Sequence, residues 1–75
     1  MGRPQLEAEL KLIGSSVTEM GLLVETTISN AIKSFKEGDS EAARALIDAD
    51  EVIDDMDDVI NDACLRLIAT QTPVA

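Results

Sequence analysis

Leu6, Ile13, Met20 and Thr27 stand seven residues apart in the first half of the chain, and Leu10, Val17, Val24 and Ala31 repeat at the same interval in an offset phase. The interleaved steps of three and four gather both sets on one side of a helix, as in an amphipathic helix of a bundle. The spacing predicts a first helix over about 5–36. Leu12, Leu23, Ile28, Ile32 and Phe35 widen its apolar stripe beyond a simple two-stranded seam, so this helix expects more than one neighbour.

The second half repeats the pattern more cleanly. Leu46, Ile53, Ile60 and Leu67 are spaced by seven, and Ala49, Met56, Ala63 and Thr70 follow each of them by three. Between the two periodic stretches, Glu37-Gly38-Asp39-Ser40 is the one strong break. Gly38 suits the left-handed residue just past a helix end, and Asp39 or Ser40 can cap the next helix. A turn at 37–40 therefore leads into a second helix over about 40–71, with Pro73 enforcing its stop. So short a connection makes the helices antiparallel neighbours, each of roughly 30 residues and about 45 Å. The fold class is all-α, a long antiparallel helical hairpin. Gly14, Ser15, Ser16 and Gly21 interrupt the first helix, where each Gly costs about 1 kcal/mol relative to Ala, and either a close backbone approach or plain tolerance accounts for them.

Length changes the picture. A chain of 75 residues holds one domain at most and buries little surface for itself. Cys64 is its single cysteine, and the chain contains no His, so neither an intrachain disulfide nor a Cys/His zinc site supplies the missing stability. Additional helix is the expected source. The N-terminus lacks the apolar run of a secretion signal, and the charge-free runs at 12–18, 26–32 and 67–75 are too short to cross a bilayer, so a cytoplasmic protein without direct membrane insertion is expected.

The net charge of −9 is unevenly spread. Residues 37–62 carry eleven acids against the lone base Arg44, while the remainder is close to neutral. That argues against nucleic acid and anionic lipid as direct ligands and favours cations or basic protein surfaces. Within the second helix Asp50, Asp54, Asp57, Asp58 and Asn61 fall on one arc, and Glu51, Asp55 and Asp62 form a more outward stripe. Like charges four apart repel by about 0.2–0.5 kcal/mol per pair, so stability alone would not select them. A solvated, solubilising face is the plain reading. The sharper one is a cation site at Asp50, Asp54 and Asp57, whose hard oxygens suit Fe, Mn, Mg or another such ion and supply part of a coordination shell that a second helix completes. Asp50 and Asp57 flank the stripe of Leu46, Ile53 and Ile60 near the helix-helix edge. Asp54 lies one step further out, and Asp48, Asp55 and Asp62 point more fully into water.

Catalysis finds no support. No Ser is placed with a base, no glycine-rich phosphate loop occurs, and Cys64, beside the apolar stripe of an acidic chain, reads as a structural thiol.

Three stretches resemble the PhoU family of phosphate-signalling regulators: Glu19-Met20-Gly21-x-x-Val24-Glu25, Asp50-Glu51-x-Ile53-Asp54, and Leu65-x-Leu67-x-Ala69-x-Gln71-x-Pro73-Val74-Ala75. The likeness covers nearly the whole of 1–75 and is to the first two helices of a three-helix repeat. It implies a cytosolic helical bundle that restrains phosphate uptake, with a phosphate transporter and a sensor histidine kinase as partners. It also implies acidic motifs that hold multinuclear metal clusters, and Asp50 and Asp54 match such a motif. The family's third helix would begin just after Ala75, so the hairpin is expected either to form part of a three-helix bundle or to pair with a second copy into a four-helix bundle. The competing expectations are the cytosolic domain of a sodium-phosphate transporter and a plain structural hairpin that oligomerises.

Overall fold

The computed structural model describes residues 2–71 and consists of two helices, α1 over Arg3–Glu37 and α2 over Ser40–Gln71. They lie antiparallel in a rod of 58 × 19 × 13 Å. The all-α hairpin is thus as the periodicity predicts. α1 begins two residues earlier than expected. Pro4 explains this, since a proline in the first turn lacks only an N–H that no intrahelical bond needs, and the Gly2 N–H donates to Gln5 Oε1 at 3.0 Å. The predicted stop at Pro73 lies outside the described residues.

The turn is built by Gly38, whose φ of 64° and ψ of 28° place it in the left-handed region. Its N–H donates to the Phe35 carbonyl at 3.4 Å and the Asp39 N–H donates to the Ser34 carbonyl at 3.1 Å, which closes the last turn of α1. Asp39 is the residue that caps α2, because its Oδ1 accepts from the Ala42 N–H at 3.0 Å. A connection this short forces the helix axes together. Small residues meet that demand: Ser34 lines one cavity with Ala42, Ala45 and Ala49, and Ala31 lines another with Ala43.

Along the seam, Leu6, Ile13, Met20 and Thr27 are half-buried, and Ser34 continues their seven-residue step. From α2 come Leu46, Ile53, Ile60 and Leu67 with Ala49, Met56 and Ala63. The hydroxyls of Thr27 and Ser34 donate to the carbonyls of Leu23 and Asn30, so neither polar group is orphaned in the seam. The offset set on α1 divides: Val24 and Ala31 reach the seam, but Leu10 and Val17 are exposed. A helix presents only a narrow stripe to one neighbour, and two interleaved heptads cover more than that.

Only Ile60 and Ser34 are buried among the described residues. Twelve large apolar side chains remain exposed, Phe35 at 89% and Val59 at 69% among them. The chain leaves 6032 Å² accessible, against about 4,500 Å² expected of a compact folded protein of 8.0 kDa. Gly14 and Gly21 meet nothing within 4 Å, so no close approach inside the hairpin requires them.

Candidate functional site

Two clefts flank the seam, one along each side of the hairpin. The first is lined by Ser16, Glu19 and Leu23 from α1 and by Ala45, Val52, Met56 and Val59 from α2. Each set advances in steps of three and four, so each stays on one side of its helix and the cleft runs continuously along the rod. Its middle section, about 270 Å³, has an apolar floor of Val52, Met56, Val59 and Ile60, with Glu19 on one bank and Asp55 on the other.

The second cleft has an apolar bank on α1, where Leu10, Val17, Ile28 and Phe35 share one side of the helix and are all exposed. Its α2 bank is the stripe of Ala43, Asp50, Asp54, Asp57 and Asn61, continuing to Cys64. Ala31, Phe35 and Ala43 line one cavity near the turn, which sets the two banks on the same side of the hairpin.

Asp50, Asp54 and Asp57 are all exposed and, by their spacing, share the side of α2 that carries Ala43. Asp57 Oδ2 accepts a hydrogen bond from Asn61 Nδ2 at 3.3 Å, while Asp50 and Asp54 have neither hydrogen bond nor ion pair among the described residues. Two free carboxylates one turn apart suit part of a hard-cation shell. Among the described residues no three His, Cys, Asp or Glu side chains come together as a metal-holding group, so the hairpin does not assemble a complete centre by itself. Cys64 is half-buried and free.

Of the outward acids, Asp62 is held by Arg66 Nη2 at 2.7 Å on an exposed surface, where such a pair adds little stability. Asp55 is exposed, as its outward position predicts, and it also borders the first cleft together with Glu19. The cue for it was available. Val52 and Val59 stand seven apart on an otherwise polar face, and Asp55 lies between them on the same side.

Residues 17–75, or 59 of the 75, match the PhoU domain family. The chain belongs to that family. A phosphate-specific transport system accessory protein PhoU of Escherichia coli is 38% identical over 71 residues, which cover 95% of this chain and 30% of that protein. Its Serratia marcescens counterpart is 39% identical over 71 residues, covering 95% of this chain and 29% of the relative. A PhoU homolog of Clostridium acetobutylicum is 32% identical over 74 residues, covering 99% of this chain and 34% of the relative. The chain therefore spans about a third of the length of these curated relatives. No solved structure matches it significantly. In this PhoU-family hairpin no described helix is long and apolar enough to cross a membrane.

Proposed function

We propose that this hairpin is the helical core of a PhoU-type accessory protein that regulates phosphate transport from the cytoplasm, working by protein contact and not by catalysis. The family match over residues 17–75 carries this reading, because the relatives aligned with nearly all of the chain are named as accessory proteins of a phosphate-specific transport system. A phosphate transporter and a sensor histidine kinase are the partners that the family resemblance implies. Further helix, from the same repeat or from a second copy, covers the apolar bank of Leu10, Val17, Ile28 and Phe35.

A graft tests the function. The aligned segment of the Escherichia coli relative is replaced by this sequence and expressed in cells lacking their own accessory protein, with a phosphate-starvation reporter as readout. Repression in high phosphate is expected. A chimera that accumulates as folded protein yet leaves the reporter fully on would sink the proposal.

Asp50, Asp54 and Asp57 are proposed as this chain's share of a site for Fe, Mn, Mg or a similar cation, completed by acids of another helix. Such an ion would supply a cross-link between helices. The test is thermal melting of the folded chimera with and without Mn²⁺ or Fe³⁺. A rise in midpoint that disappears in Asp50→Asn plus Asp54→Asn supports the site, and an unchanged rise in the double variant removes it.

A further inference from the structure

The first cleft is built unlike a mere solvated surface. Its middle has an aliphatic floor on which Val52 and Val59 are half or more exposed, at 50% and 69%. Glu19 and Asp55 stand on opposite banks, and neither has an ion-pair partner among the described residues. Residues 12–32 of α1 and 45–65 of α2, the stretches that face each other in the hairpin, hold ten acids and no base. All six bases lie toward the two ends: Arg3, Lys11 and Arg66 at the open end, Lys33, Lys36 and Arg44 at the turn.

This charge layout selects the occupant. A second copy laid alongside in register would set acidic middle against acidic middle, which is unfavourable. The middle section, about 270 Å³ and open along the rod, suits side chains projecting from a docked segment. Lys and Arg lay aliphatic stems on apolar surface while their charged heads reach carboxylates at its rim. We propose that the first cleft receives a basic amphipathic helix of another protein, its apolar face on Val52 and Val59 and its cationic flanks on Glu19 and Asp55. The inference is independent of the phosphate reading and does not require it.

The probe is a synthetic helical peptide of ~18 residues, with Leu at helix-face spacing and Lys along both flanks. It is titrated into the 75-residue chain near physiological salt and followed by fluorescence anisotropy. Saturable binding is expected, weakened about tenfold or more by Glu19→Gln plus Asp55→Asn and by Val59→Ser, and by less than about twofold by Glu51→Gln plus Asp58→Asn, which removes the same charge outside the cleft. All five side chains are exposed, so circular dichroism should report unchanged helicity in every variant. Equal losses in the two charge variants would reduce the binding to non-specific attraction and overturn the proposal. So would no binding. The titration contains no transporter and no phosphate, so its failure and that of the graft are read separately.

Discussion

The two sides of this hairpin are made from the same two helices, yet they offer different surfaces. One side carries the exposed apolar stripe of Leu10, Val17, Ile28 and Phe35 on α1 and the exposed carboxylates of Asp50, Asp54 and Asp57 on α2. The other side carries its apolar character in the floor, at Val52, Met56 and Val59, and places one acid on each bank. The first arrangement asks for another apolar helix along α1 and leaves the acids free at its edge. The second asks for a partner that is greasy in the middle and cationic at its margins. A seam built on one heptad thus divides the remaining exposed surface into two unlike strips, which can serve two different neighbours at once.

The sharpest way to break this comparison is at the seam that separates the strips. Ile60→Ala removes the one buried large side chain among the described residues, and should cost about 2–3 kcal/mol and lower the melting midpoint on the order of 10–20 °C. Its neighbour Val59→Ala, at 69% exposure in the first cleft, should stay within about 0.5 kcal/mol. Similar losses at both positions would mean that the seam is not where the structure places it. At the turn, Gly38→Ala forces a side chain into the left-handed region and should cost about 1–2 kcal/mol in a denaturant melt, without favouring either side.

Gly21 sharpens the comparison in the opposite direction. Nothing approaches it within 4 Å, so Gly21→Ala should stabilise the 75-residue chain by up to about 1 kcal/mol. If the gain turns to a loss in the grafted full-length relative, a second backbone runs close along that side. The smallest effect lies among the acids. Asp54→Asn removes repulsion from Asp50 and Asp58, each worth about 0.2–0.5 kcal/mol, so the midpoint should rise slightly in low salt and the gain should fade as salt is added.

Much of this was legible in the residues. The heptads of α2, the break at Gly38 and Asp39, and the acidic arc are local facts of spacing, and each stands in the structure where periodicity puts it. α1 starts two residues before the helix that the apolar periodicity predicts, because Pro4 fits a first helical turn. The exposure of Leu10 and Val17 agrees with a stripe too broad for one neighbour, but the spacing does not say which part of the stripe stays open. Two interleaved heptads are equivalent on paper, and which of them meets the neighbour depends on how the second helix rotates onto the first. The pairing of Asp55 with Glu19 is not legible either, since they are far apart in the chain and only the hairpin brings them to one cleft.

The sequence by itself determined that there are two helices, where they break, and that most charge sits on the second, because helix formation, capping and charge spacing are properties of neighbouring residues. Only the tertiary structure decided which of two equivalent apolar stripes is covered and which acids border each cleft. Those outcomes rest on the rotation and register of one rod against another, and a turn as short as Gly38-Asp39 sets them through contacts between residues far apart in the chain.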